Sequence, residues 1–296
     1  MTSNQYQRLG LGTVQWGGDY GVSNSSGRTA PSEVASILAA AGKRGIRVLD
    51  TAALYGQSEQ VLGQNDLSSF QIVTKTLRVD QAVISIDDGE GMLASFEESL
   101  AKLQCSSVYG LLIHNADDLL AQNGDILVRC LERLKGEGKV QKIGVSIYSG
   151  EQVGRLLARF TPDLVQVPVS VLDQRLIHGG QLELLKSLGV EIHVRSVFLQ
   201  GLLLMDPAST PRYFEPLRPL LTRWHATARD ADMTPSQAAL AFVRALPQVD
   251  CVLVGVESAR QLDQCATDFV RGGSIDARAL ACSDPAFINP SMWEQQ

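Results

Sequence analysis

The sequence predicts an α/β protein built as one (β/α)8 barrel of the TIM type, and three observations carry that expectation. Short apolar runs alternate with helix-spaced apolar stripes through the 296 residues, the pattern of parallel strands joined by covering helices. No linker or shift in composition interrupts the alternation, so residues 1–296 read as a single domain. Several of the runs end in a titratable side chain, and in parallel α/β proteins a site is assembled at the C-terminal strand ends.

Taken in order, Arg8 to Trp16 reads as a first strand. It leads into a glycine-rich loop (Gly17, Gly18, Gly21, Gly27) long enough to cover a site. A helix starts near Pro31, places Val34, Ile37, Leu38 and Ala41 on one face, and stops at Gly45. Ile46 to Asp50 is the second strand, Glu59, Val61 and Leu62 mark a short helix, and Phe70 to Lys75 is the third strand. Met92, Phe96, Leu100 and Leu103 recur at helical spacing before the fourth, Tyr109 to His114. The stripe Leu127, Cys130, Leu131, Leu134 ends in the region of Gly136 and Gly138, ahead of Ile143 to Ser146. Ser149 to Glu151 reads as a helix start for Val153, Leu156 and Leu157, and Leu164 to Pro168 follows. Leu182, Leu185 and Leu188 lead through Gly189 into Val190 to Ser196. Two further helices, around Leu217 to Trp224 and Ala239 to Leu246, precede the last strand, Cys251 to Val256. The tail from about Gly272, with Pro285, Pro290 and Trp293, is expected over the barrel mouth or side.

Composition narrows the function classes. Hydrophobic residues make up 45% and charged residues 20% of the chain, enough to bury a large core. A net charge of -6 and a pI near 5.3 argue against a nucleic-acid partner, which needs clustered Lys and Arg. The polar start MTSNQYQRLG has no secretory pattern, and no apolar run reaches the roughly 20 residues of a membrane span. Five cysteines without CxxC or Cys-His spacing suit reduced thiols in a cytoplasmic protein, and no metal is expected. His178, His193 and His225 are likewise not spaced as ligands. Neither GxGxxG nor GxxxxGK[ST] is present, so a Rossmann or P-loop site is not expected.

Four side chains stand out together: Asp50 at the end of its strand, Tyr55 in the loop beyond it, then Lys75 and His114 at the next two strand ends. Alone, each has an ordinary explanation: a helix cap, a loop aromatic, a surface charge and a histidine satisfied at a strand end. On successive strand ends they form an acid-base set. The segments LGLGTVQWGGDYG, LDTAALYGQSEQVLG, IVTK, GLLIHN, GKVQKIGVS, RSVFLQGLLL and VLVGVESARQL then fall in the order of the aldo-keto reductase family, which the chain resembles over nearly its whole length.

That resemblance implies an NAD(P)H-dependent reductase of an aldehyde or ketone. Tyr55 is the implied proton donor, with a phenol protonated near neutrality, Lys75 its activating neighbour, Asp50 the anchor of that lysine and His114 the residue that orients the carbonyl. For the cofactor it implies Ser146 and Gln166 at the carboxamide and Ser196, Phe198, Gln200 and Gly201 along the pyrophosphate. Gly255, Ser258, Arg260, Gln261 and Cys265 fall at the adenosine end. Ile147 and Arg195 depart from the family, which usually has Asn after the serine and an aromatic on strand seven. Near the 2'-phosphate position, Ser258 and Arg260 favour NADP(H) over NAD(H), while Glu257 and the uncharged Gln261 narrow the margin; Gln264 and Cys265 replace the usual adenine readers. Trp16, Tyr20 and Asn115 are candidate substrate walls, Trp16 with buried packing as its alternative. The alternatives are an NAD(P)H-binding redox-sensing regulator with little turnover and, more distantly, a barrel isomerase or lyase. A sugar-derived carbonyl is one candidate substrate, and the sequence sets no oligomeric state.

Overall fold

Each apolar run has side chains on both faces that must be buried, and the chain solves this with two separate apolar clusters. In the computed structural model, which describes residues 5–293, the runs form β1 (Leu9–Gly12), β2 (Val48–Asp50), β3 (Gln71–Lys75), β4 (Val108–Ile113), β5 (Val140–Ser146), β6 (Leu164–Pro168), β7 (Glu191–Arg195) and β8 (Cys251–Gly255). All pair in parallel, each with its sequence neighbours, and β8 closes on β1. Val48, Val73, Leu112, Leu164, Cys251 and Leu253 form one cluster inside the barrel, while Leu49, Ile72, Leu111, Val165 and Val252 join the larger shell beneath the helices. Adjacent residues therefore face opposite ways, the two-residue period of a strand.

The helices form for local reasons. Pro31–Arg44 opens on its proline and ends where Gly45 turns left-handed at φ 76°, returning its N–H to Ala41 and Gly42. Ile86–Leu103 starts at a reciprocal cap between Ser85 and Asp88.

Most expected elements lie at or near their observed bounds, although β5 starts earlier, at Val140, where it pairs with Val108 of β4. The first strand is the clear correction. It stops at Gly12, where the pairing Gly12 to Asp50 ends, and Thr13 then donates from its N–H and hydroxyl to the Asp50 carbonyl. Val14–Gly17 is a helical turn instead. The tail packs beside the loops that leave β6 and β7: Tyr213 donates to the Ala286 carbonyl at 2.7 Å, and the Phe214 and Trp293 rings meet edge-on at 4.8 Å. Among the described residues no helix is long and apolar enough to cross a membrane.

The N-terminal end of the barrel holds a polar group that its apolar interior would otherwise exclude. Tyr109 donates to Glu191 at 2.7 Å, Lys142 pairs with the same carboxylate, and His193 Nε2 lies 2.6 Å from its other oxygen. Burial alone would push Glu191 up, but these hydrogen bonds outweigh it and bring the carboxyl to about 2. Because that lies below the ordinary value, its stabilisation is complete above about 4.5 and is lost as pH falls toward 2. Glu191→Gln is expected to lower unfolding stability in urea at neutral pH by about 1–3 kcal/mol and to flatten the stability slope between pH 5 and 2. An unchanged slope would show that Glu191 does not carry it.

Candidate active site at the C-terminal mouth

The inward parity that places Val48, Val73 and Leu112 in the barrel places Asp50, Lys75 and His114 at its C-terminal mouth, each two residues on. Ser146, Gln166 and Arg195, from β5, β6 and β7, share that parity. Lys75 is the hub. Its ammonium lies 2.7 and 2.8 Å from the two Asp50 oxygens, 2.9 Å from the Thr51 carbonyl and 3.3 Å from the Tyr55 hydroxyl, and its side chain is only 1% exposed. Gln166 adds a third bond to Asp50 at 2.6 Å.

Tyr55 comes from the loop after β2, and that loop is held from below. A Cβ on Gly17 would lie 1.6 Å from the Tyr55 carbonyl oxygen, so only glycine permits the approach. Ser58 bonds both Thr13 and Thr51 through buried hydroxyls, tying the loop to β1 and β2. Thr13, Gly17, Thr51 and Ser58 fall within the quoted segments, but their supporting role is read only from these contacts.

The electrostatics separate the roles these groups can take. Burial, and secondarily Asp50, push the Tyr55 phenol well above its ordinary value, with Arg195 and Arg78 opposing in part. Burial pulls the Lys75 ammonium down against the pull of Asp50. His114 is brought to about 3 by burial, then by the cations Lys75, Arg78 and Arg195. It is therefore neutral at ordinary pH, with its ring edge-on to Tyr55 at 5.9 Å and its Nδ1 buried without a partner. Two grooves of about 380 and 510 Å³ lie outside the barrel around Arg159 and Phe160 and contain none of these residues.

Residues 8–270 match the model of the Aldo/keto reductase family. The chain belongs to that family. It is 26% identical over 281 residues, 88% of this chain and 83% of the other, to an uncharacterised oxidoreductase of Mycobacterium tuberculosis (strain ATCC 25618 / H37Rv). It is 29% identical over 201 residues to a glyoxal reductase of Bacillus subtilis (strain 168), covering 65% and 69% of the two chains. In fold it is similar to an aldo-keto reductase of Bacillus halodurans, with a TM-score of 0.73 at 20% identity over 97% and 94% of the chains.

Aldo/keto reductases use NAD(P)H, and the donor set of this reductase suits such a group. Gln166 has an amide oxygen left after its bond to Asp50, and Ser146 ends the neighbouring strand. Gln15 Oε1 is buried without a partner, and its amide fills the space a side chain on Gly255 would need. After β7, Ser196, Leu199 and Gln200 have φ of 62°, 46° and 54°, and Gly201 has 88°. Three non-glycine residues held left-handed within one loop are the kind of strain that persists at ligand sites. Phe198, in the same loop, packs on the core. Arg260 is exposed at the start of the helix Ala259–Val270, with Ser258 capping the Gln261 N–H. Gln261 in turn accepts from the Glu257 N–H at 2.7 Å, and Cys265 packs on the core with its thiol pushed up to about 12 by burial.

Some of the expected residues stand elsewhere. Trp16 is no wall of the mouth: it is fully buried and donates to the Val256 carbonyl at 3.1 Å, because the chain has already left the strand. Asn115 caps a short helix and donates to Asp80, so both ends of its amide are engaged. Ile147 lies in the outer shell, on the face opposite Ser146. Tyr20 is exposed in the loop after β1. Its hydroxyl meets Gln200 at 3.2 Å, and desolvation pushes it up to about 12. The Glu33 carboxylate, in no quoted motif, accepts from the Ala259 N–H at 2.8 Å, placing a negative charge on the start of that helix.

Nitrogen-15 NMR of the His114 ring is expected to show a neutral imidazole at pH 5, with protonation only on approach to about 3. A midpoint near 6.5, the ordinary value, would mean that burial does not govern this group.

Proposed function

We propose that the reductase converts an aldehyde or ketone to an alcohol with NAD(P)H, and that Tyr55 is the proton donor. The observation that carries this reading is the buried Lys75 ammonium shared between Asp50 and the Tyr55 hydroxyl. The relatives named a glyoxal reductase and, in Escherichia coli, an NADH-specific methylglyoxal reductase support a carbonyl substrate. All five cysteines are free, which suits a cytoplasmic setting.

The bound nicotinamide would supply hydride to the carbonyl carbon. Ser146 and Gln166 would hold its amide end, Ser196, Phe198, Gln200 and Gly201 its diphosphate, and Gly255, Ser258, Arg260, Gln261 and Cys265 its adenosine end. Tyr55 gives its proton to the carbonyl oxygen as negative charge develops there. An alkoxide is a far stronger base than a phenolate, so this transfer is downhill even from a phenol held above its usual value. Lys75 donates to the phenolate left behind, Asp50 keeps the ammonium in place, and solvent restores the proton before the next turnover. His114, being neutral, contributes a ring N–H that orients the carbonyl rather than an acidic proton.

For the cofactor we propose NADPH over NADH by a narrow margin. Ser258 and Arg260 favour the 2'-phosphate, whereas Glu33 and Glu257 place negative charge beside it.

Tyr55→Phe is expected to lower kcat by about 100 to 10,000-fold while cofactor affinity stays; near wild-type kcat on any good substrate would remove Tyr55 as the acid. Lys75→Met is expected to lose a comparable factor, and the double variant far less than the product, because both groups serve one proton transfer. If NADPH binds but no carbonyl compound is turned over, the regulatory alternative takes its place. Fluorescence titration of Arg260→Ala is expected to show NADPH affinity reduced about tenfold to a hundredfold, the worth of one charge-assisted contact, with NADH affinity little changed. Equal affinities in the wild type would end the NADPH assignment.

A further inference from the structure

The loop after β3 runs from Thr76 to Ser85 and is laced to the segment that follows β4. Next to the barrel, Thr76 donates its N–H to the Leu112 carbonyl at 3.0 Å, and its hydroxyl accepts from the His114 N–H at 3.3 Å. Farther along, Asp118 of the short helix Ala116–Leu120 accepts from the Val79 N–H at 3.1 Å with one carboxylate oxygen and from the Asp80 N–H at 2.9 Å with the other. Asn115 adds a bond to the Asp80 side chain at 3.1 Å. Beyond these, Gln122 gives its N–H to the Ala82 carbonyl at 3.1 Å, and its own carbonyl takes the Ile84 N–H at 2.9 Å.

Asp118 is the unusual member of this lacing. It is 2% exposed, yet among the described residues it makes no salt bridge, and both of its partners are main-chain N–H groups of another loop. A carboxylate is costly to bury, and one set against two backbone donors does what an apolar side chain cannot: it fixes the path of the chain it meets. Asp80, at the clamped point, is held left-handed at φ 53°, a conformation that aspartate tolerates only where its surroundings impose it. Between the tie at Thr76 and the tie at Val79 stand Leu77 and Arg78, both exposed. They form an arch beside His114 on the β3 and β4 side of the mouth, whereas every residue given to the cofactor lies at Ser146 or beyond. From that arch Arg78 acts electrostatically on Tyr55 and His114.

We propose that Asp118 is a positioning residue for the reaction: by clamping Val79 and Asp80 it holds the arch of Leu77 and Arg78 in place and fixes the Arg78 charge beside Tyr55 and His114. The proposal rests on the reductase reading for the chemistry and on Asp118 for the placement. Asp118 itself touches neither substrate nor cofactor and acts through the arch. A cation fixed in advance near a carbonyl oxygen stabilises the negative charge that develops there without having to reorganise during the reaction. An arch pinned at both ends keeps that charge in place, and one freed at Val79 lets it move out toward water, where the same charge counts for less.

The test is a double-mutant cycle between Asp118→Asn and Arg78→Met, read in two ways. Asp118→Asn keeps the shape of the side chain but turns an amide NH2 toward one of the two backbone donors, so one bond of the clamp is lost. With methylglyoxal and NADPH, each single variant is expected to lower kcat by about tenfold with KM changed by less than about threefold, because the charge involved appears only in the transition state. The double variant is expected to be no worse than Arg78→Met alone. The second reading is the His114 midpoint from nitrogen-15 NMR. Burial first, then Lys75, Arg78 and Arg195, hold that ring at about 3, and its other neighbour is the Tyr55 ring edge; the variants leave all of these but Arg78 in place. Removing or releasing one cation raises the midpoint, so both single variants are expected to move it upward by the same amount and the double variant no further. A midpoint unmoved by Asp118→Asn, an effect of Asp118→Asn that Arg78→Met lacks, or losses that multiply in the double variant overturn the proposal. If Asp118→Asn does not fold, Asn115→Ala, which removes the exposed tie to Asp80, is expected to give the same changes in smaller measure, and no change in either reading overturns it. If the wild type reduces no carbonyl compound, the reductase reading fails by itself, and the His114 midpoint across the cycle still decides the clamp.

Discussion

An ammonium fully removed from water is the constraint on which the mouth of this barrel depends. Lys75 can stay charged there only because Asp50 meets it with both oxygens and Thr51 adds a carbonyl, since an unpaired buried charge costs several kcal/mol. Those partners come from neighbouring strands whose register is set by the sheet. Asp50 pairs with Val73, two residues before Lys75, so the inward faces of β2 and β3 bring the two side chains together. Tyr55 and Gln166 then have fixed points to meet. Asp50, Lys75 and Gln166 stand on strands rather than loop tips, which fixes their mutual geometry.

Strand parity carries the same order around the barrel. Glu191 and His193 share a face with Arg195, so one strand supplies both the polar plug at the N-terminal end and the cation at the mouth. The outward residues of that strand, Ile192 and Val194, go to the shell. Chemistry and stability thereby occupy opposite ends of the same closed sheet, a division that barrels permit because their interior is packed between them. The loops close the arrangement from above: a Cβ on Gly201 would lie 1.8 Å from the Ser23 hydroxyl, so the loops after β1 and β7 touch over the mouth only because that position has no side chain.

The barrel mouth and the start of the helix Ala259–Val270 present charge of opposite sign. At the mouth Lys75 and Arg195 stand at inward strand ends with Asp50, while Arg78 lies in the loop after β3 near Asp118. The start of the helix Ala259–Val270, which would ordinarily welcome an anion, already holds Glu33 on its Ala259 N–H. That carboxylate satisfies a donor the helix leaves open, a structural role that also lowers the room for a phosphate.

Periodicity predicted the alternation of eight strands with helices, because each must bury a face whose spacing is local and therefore written in consecutive residues, whereas the closure of β8 on β1 is tertiary. It also placed Asp50, Lys75 and His114, whose positions at strand ends follow from where an apolar run stops. The first strand's true end was not legible, since Val14, Gln15 and Trp16 suit a strand as well as a turn and only the pairing of Gly12 with Asp50 decides. Trp16 went into the core for that reason. The contacts that support Tyr55, the engagement of Asn115 with Asp80, the placing of Glu33 against Ala259 and the stacking of Arg195 on Tyr148 were settled by tertiary structure alone. Each depends on partners up to 226 residues apart, and a sequence does not say which distant groups the closure of a sheet will bring within 3 Å.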